Sequence, residues 1–124
     1  MKKVYIQLST HWDREWYNPF QAFRYELIGV TDKIISEVKS KQNIENFVFD
    51  GQTIVTEDYL DIVPENRCEL ATQIENGSIK IGPWYVMPDE WLVSGESLIR
   101  NFQQGKRICD DFNTEPFRYG YIND

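Results

Sequence analysis

The chain has 124 residues, with 13 Lys+Arg against 20 Asp+Glu, one His and two Cys, and a formal net charge of -7. At 41% hydrophobic and 15% aromatic it is too apolar for compositional disorder, and its length suits one ordinary domain. The acidic balance argues against a nucleic-acid partner, which needs clustered Lys and Arg, and no apolar run approaches the ~20 residues of a membrane span. The opening MKKVYIQLST has only a short, interrupted apolar stretch and makes a poor signal peptide. Cys68 and Cys109 lie far apart in no metal-like spacing, so two reduced thiols in a cytoplasmic protein are expected.

Residues 3–9 alternate Val4, Ile6 and Leu8 with Lys3, Tyr5 and Gln7, the period of a strand. Phe20, Phe23, Leu27, Val30, Ile34 and Val38 then recur at spacings of three and four, which predicts an amphipathic helix of about five turns. Gly29 inside it costs ~1 kcal/mol relative to Ala, and Thr31-Asp32 offers a place to break and re-cap. Phe47-Val48-Phe49, ending at Asp50-Gly51, reads as a buried strand and a turn. Thr53 or Thr56 would cap a short helix through Tyr59 and Leu60, and Pro64 would open another that ends at Asn76-Gly77 with Leu70, Ala71 and Ile74 on its apolar face. Ile79 and Ile81 suggest a third strand, running into a loop from Pro83 to Glu90. Ser94 would cap a helix through Leu98, Phe102, Ile108 and Phe112, and residues 117–122 read as a fourth strand. The order β-α-β-α-α-β-α-β, with no linker and no repeat, places the chain in the α/β class with a parallel sheet.

In parallel α/β folds the chemistry collects at the carboxyl ends of the strands. These exits hold Thr10 to Tyr17, Asp50-Gly51-Gln52, Trp84 to Glu90, and Asp124. His11 and Asp13 stand two apart, so on extended backbone they share a face and can converge on one metal ion. Imidazole and carboxylate donors suit zinc. A surface His–Asp pair is the plainer reading of the same spacing. Trp12, Trp16, Tyr17, Trp84, Tyr85 and Trp91, interleaved with Asp50, Asp89 and Glu90, form either core packing or a platform for a neutral polyol. There is no Gly-rich phosphate loop, and one His leaves little from which to build a Ser-His-Asp triad.

The run His11-Trp12-Asp13-Arg14-Glu15-Trp16-Tyr17 resembles the HWDREWY signature of bacterial α-mannosidases of glycoside hydrolase family 38. The resemblance continues through F-x-x-DGQT-x-x-x-EDYL (47–60), IGPWYVMPDEWLVSGESLIRN (81–101) and GY-x-x-D (120–124), in the family's order. It implies that residues 1–124 are the N-terminal portion of a catalytic domain: the first part of a seven-stranded parallel β/α barrel in a protein several times longer. It implies a zinc-dependent, retaining exo-α-mannosidase with His11, Asp13 and Asp124 as metal ligands, Asp124 also as nucleophile, and Trp16 stacked on the sugar. Asp89 and Glu90 match the family's PDE loop near the substrate. The HWDREWY variant is most similar to the branch that includes mannosylglycerate hydrolases, so small mannosides or mannosylglycerate are the expected substrates. Homo-oligomers are common in such families, and one is expected of the longer protein.

Two departures qualify this. Asn123 stands where the family usually has Pro before the nucleophile. The family's further metal-binding His and its acid/base carboxylate lie downstream, and His11 is the chain's only histidine. The isolated 124 residues are therefore expected to be catalytically inactive, with residual sugar or metal binding as the alternative reading. A metal-dependent carbohydrate deacetylase is a remoter alternative, since it predicts an early D-D or an H-x-x-x-H pair and neither occurs.

Overall fold

A computed structural model describes residues 2–119. The longest element is α1, Phe20–Ser40, which buries Phe23, Leu27, Thr31, Ile34, Ile35 and Val38 along one stripe. Gly29 does not break it. It lies on the exposed face with open space around its Cα, and burying each Leu or Ile of the stripe contributes ~1.5–3 kcal/mol, more than one glycine costs. The helix stops at Lys41, whose left-handed φ of 54° lets its amide bond back to the Glu37 carbonyl at 3.1 Å.

Strand β1 (Phe47–Val48) pairs in parallel with β2 (Ile79–Lys80), in the register Phe47 to Ile79 and Val48 to Lys80. Between them run α2 (Ile54–Leu60), a 3-10 turn at Pro64–Asn66, and α3 (Arg67–Glu75). The final helix, α4 (Gly95–Asp111), is capped by Ser94, whose Oγ accepts the Ser97 amide at 3.1 Å. Gly105 lets α4 lie on the segment after β2, since a Cβ there would come within 2.3 Å of the Pro83 carbonyl oxygen.

The extended segments follow chain order across the sheet. Residue 9 bridges Val48 in parallel, with the Val48 amide on the Leu8 carbonyl at 3.0 Å, and the Phe117 amide reaches the Ile81 carbonyl at 3.0 Å. A further parallel bridge, Gln52 to Trp84, continues the pairing past the strand ends. Helix α1 packs on both α2 and α3, and Leu27, Val38, Phe49, Val55, Tyr59, Leu70, Ile74, Ile79 and Ile81 form the buried core with Ile108 and Cys109 of α4. The Tyr59 hydroxyl donates to Asp32 at 2.5 Å inside this layer, and burial together with that carboxylate pushes its pKa up to about 12.

Among the described residues, neither the first expected strand nor the start of the last is formed as a strand. Residues 3–8 carry the right alternation, yet Val4 is 82% and Ile6 84% exposed. Period 2 offers an apolar face, but a strand also needs a neighbour to pair with, and among the described residues only residues 8–10 find one. Residues 117–119 are likewise irregular, and 120–122 of that expected strand lie outside the described residues. Among the described residues, no helix is long and apolar enough to cross a membrane.

Candidate active site

The segment leaving residue 9 carries His11, Trp12 and Asp13 past the end of β1. His11 Nε2 lies 3.7 Å from Asp13 Oδ2, so the two side chains converge as the i, i+2 spacing predicts. The other ring nitrogen, Nδ1, faces Asp50 Oδ2 at 3.9 Å.

Asp50 reaches this position through an unusual backbone. It and Gly51 both take left-handed conformations, at φ 47° and 69°, and so turn the chain back at the end of β1. A non-glycine residue in that region carries strain that the surroundings must hold in place. Here the holding contacts are on Trp12. Its amide donates to Asp50 Oδ2 at 2.7 Å, and its carbonyl accepts from Gln52 Nε2 at 2.9 Å. Gln52 Oε1 in turn accepts the Met87 amide at 3.3 Å, so one side chain ties three strand exits together. Asp50 is only 2% exposed, and its Oδ1 has no hydrogen-bond partner among the described residues. Burial raises its pKa, against the opposing pull of the Trp12 amide and His11.

A second grip holds the same segment a few residues on. Arg14 makes a two-point contact with Asp58 on α2, at 2.7 and 3.0 Å, and that carboxylate raises the Arg14 pKa further. Arg24 of α1 approaches the same carboxylate at 3.7 Å and bonds Asp61 at 3.1 Å. Both guanidinium groups lie over the Phe20 ring, at 4.8 and 5.3 Å. The third exit is fixed by Asn101 of α4, whose Oδ1 accepts the Tyr85 and Val86 amides while its Nδ2 donates to the Val86 carbonyl. Between the first and third exits lies a cleft of about 240 Å³, lined by Trp12, Asp13, Arg14, Glu15, Gln52, Val86 and Met87.

Known proteins carry the same chain path. The family model described as "Glycosyl hydrolases family 38 N-terminal domain" matches residues 1–124. The chain belongs to glycosyl hydrolase family 38. It is 40% identical over 123 residues to the "Putative mannosylglycerate hydrolase" of Halalkalibacterium halodurans, covering 99% of this chain and 14% of that one. An alpha-mannosidase from Enterococcus faecalis V583 superposes with a TM-score of 0.89 at 36% identity, over 94% of this chain and 13% of its own. A family 38 protein from Enterococcus faecalis gives 0.86 at 33% identity, over 97% of this chain and 14% of its own. The chain thus spans about a seventh of the length of these relatives.

Against this family frame the expected site residues divide. His11 and Asp13 come together, joined by Asp50, the carboxylate of the second strand exit. Trp16 is 70% exposed, an open ring rather than a packed one. Asp89 turns into its own loop, where Oδ1 accepts the Trp91 amide at 3.1 Å. Both Glu90 side-chain oxygens are buried without a partner among the described residues. Asp124 lies outside the described residues. Trp84 leaves the expected aromatic platform altogether: it is buried and stacked on Phe102 at 3.9 Å, because the strand exit turns it under α4. Tyr85 also packs inward, its hydroxyl on Glu57 at 2.8 Å. Asp50 and Gln52 were detectable in the sequence as an acid-glycine turn placed directly after a buried strand, the usual location of a site residue in this fold class.

Proposed function

We propose that residues 1–124 are the N-terminal portion of the catalytic domain of a zinc-dependent, retaining exo-α-mannosidase, acting on small mannosides or mannosylglycerate, with the described strands the first of a seven-stranded barrel. The observation that carries this reading is the side-by-side placement of His11 Nε2 and Asp13 Oδ2 at the first strand exit. Their 3.7 Å separation is near the ~3.3 Å that two donors subtend at Zn–N and Zn–O distances of ~2.0–2.1 Å in a tetrahedral shell. Among the described residues no group of three or more His, Cys, Asp or Glu is arranged to hold a metal, so His11 and Asp13 supply two ligands and Asp124 is proposed as a third. Zinc bound there would supply a fixed positive charge for vicinal sugar hydroxyls. Trp16 offers its exposed ring to the apolar face of the mannose, and Asp89 and Glu90 contribute from the third exit. Asp124 is proposed as nucleophile, with a second carboxyl group ~5–5.5 Å away completing a retaining pair. A reducing, cytoplasmic setting is supported by Cys68 and Cys109, both free thiols. Small-molecule mannosides are the proposed partners, and a homo-oligomer is the proposed state of the longer protein.

The test is hydrolysis of an aryl α-mannoside by the longer polypeptide that carries this segment. Activity that is lost on chelation, restored by zinc, and reduced at least ~10³-fold by Asp124→Ala supports the reading. Full activity in that variant, or in a chelated sample, overturns it. The 124-residue chain alone is expected to show no turnover.

A further inference from the structure

We infer that Asp50 is the positioning residue that holds His11 with its Nε2 lone pair directed at the metal site. The inference rests on the proposed metal role of His11 and Asp13. Three observations carry it.

First, the two ring nitrogens face different carboxylates: Nε2 faces Asp13 at 3.7 Å and Nδ1 faces Asp50 at 3.9 Å. A histidine that gives one nitrogen to a metal characteristically gives the other N–H to a carboxylate or carbonyl, which fixes both tautomer and ring orientation. At 3.9 Å the Asp50 carboxylate is a charge facing Nδ1 rather than a formed hydrogen bond. Second, the oxygen that faces the ring is the one that receives the Trp12 amide at 2.7 Å, and Trp12 lies between His11 and Asp13 in the chain. With Gln52 on the Trp12 carbonyl, the DGQT turn grips both polar groups of the residue that spaces the donor pair. Third, this grip is built at a local cost. Asp50 is buried, sits at positive φ, and keeps one oxygen without a partner among the described residues. An unstrained, fully paired residue would serve packing better, so the arrangement points to a role at the site.

The test uses the tautomer of His11, which is read without metal or substrate. His11 is the only histidine of the chain, so its ring nitrogens are assigned unambiguously in nitrogen–proton correlation spectra. At about pH 8.5 an ordinary imidazole is neutral. Nδ1 and Nε2 face Asp50 and Asp13 at 3.9 and 3.7 Å, so the ring proton is expected to be divided between them, with Asp50 holding a measurable share of it on Nδ1. Asp50→Asn keeps an acceptor for the Trp12 amide but removes the charge facing Nδ1, so the proton is expected to move to Nε2. Asp58→Asn, which loosens the neighbouring grip on Arg14, is expected to leave the tautomer in place. In the longer polypeptide that carries this segment, zinc affinity measured by chelator competition is expected to fall about 10–100-fold in Asp50→Asn. A wild-type proton confined to Nε2 overturns the inference. So does a tautomer unmoved by Asp50→Asn, or moved as far by Asp58→Asn. If the longer polypeptide that carries this segment binds no zinc while the tautomer responds as expected, the metal reading fails and the positioning of His11 by Asp50 stands.

Discussion

Two buried carboxylates grip the same segment and differ in almost every other respect. Asp58 receives two donors from Arg14, lies beside Arg24 in an ion-pair cluster, and sits inside the regular turn of α2. Asp50 receives one amide, faces a histidine without an arginine, keeps an unpartnered oxygen among the described residues, and sits at positive φ. Asp58 therefore reads as a fastener, since its carboxylate is held by arginine partners from two other segments. Asp50 is held against its own preferences, which is the pattern of a site residue. The same residue type, gripping Trp12 in one place and Arg14 in the other, is costly in the first and stabilising in the second.

The largest effect should come from breaking the fastener. Asp58→Ala leaves the Arg14 guanidinium without its carboxylate, while Arg24 keeps Asp61, and is expected to destabilise the chain by about 2 kcal/mol, measured by urea unfolding. A loss below about 0.5 kcal/mol would mean that solvent already satisfies Arg14 and Arg24, and the contrast would collapse.

The opposite sign is expected for Asp50→Asn. Burial raises the Asp50 pKa in the folded chain, so the folded state holds its proton more tightly than the unfolded state does. Wild-type stability contributed by this group is then present below the ordinary aspartate range and lost as pH rises through the raised folded value. Asparagine has no such dependence. The variant should therefore melt higher than wild type at about pH 7, and the gap should close below about pH 3.9. A variant less stable than wild type at neutral pH would show that the Trp12 grip outweighs the burial of the charge. Higher stability together with weaker zinc binding would be the trade expected at a functional position.

The smallest effect calibrates the other two. Gly29→Ala lies on the exposed face of α1, far from either carboxylate in the chain, with nothing within 4 Å of a new Cβ. It should stabilise by about 0.5–1 kcal/mol with no change in zinc affinity. A change in metal binding in that variant would show that stability alone moves the site, and would weaken any assignment drawn from Asp50→Asn.

Much of the framework was legible in the sequence by itself. The spacing of Phe23, Leu27, Ile34 and Val38 defines α1, Pro64 and Asn76-Gly77 bracket the 3-10 turn and α3, and Ser94 caps α4, because helix periodicity and capping are local properties of a few adjacent residues. The pairing of His11 with Asp13 is equally local, and the four motif blocks placed the chain in its family. Tertiary structure alone decided the rest. The alternation of residues 3–8 could not show that, among the described residues, only 8–10 find a partner, since pairing depends on a neighbour supplied by another part of the chain. Trp84 could be platform or core until α4 covered it. The approach of Asp50 to Trp12 spans 38 residues of chain, and that of Asp58 to Arg14 spans 44. No periodicity encodes such contacts. They exist because parallel pairing of β1 and β2 brings successive strand exits to one edge, where a left-handed turn at Asp50-Gly51 points a carboxylate at the histidine.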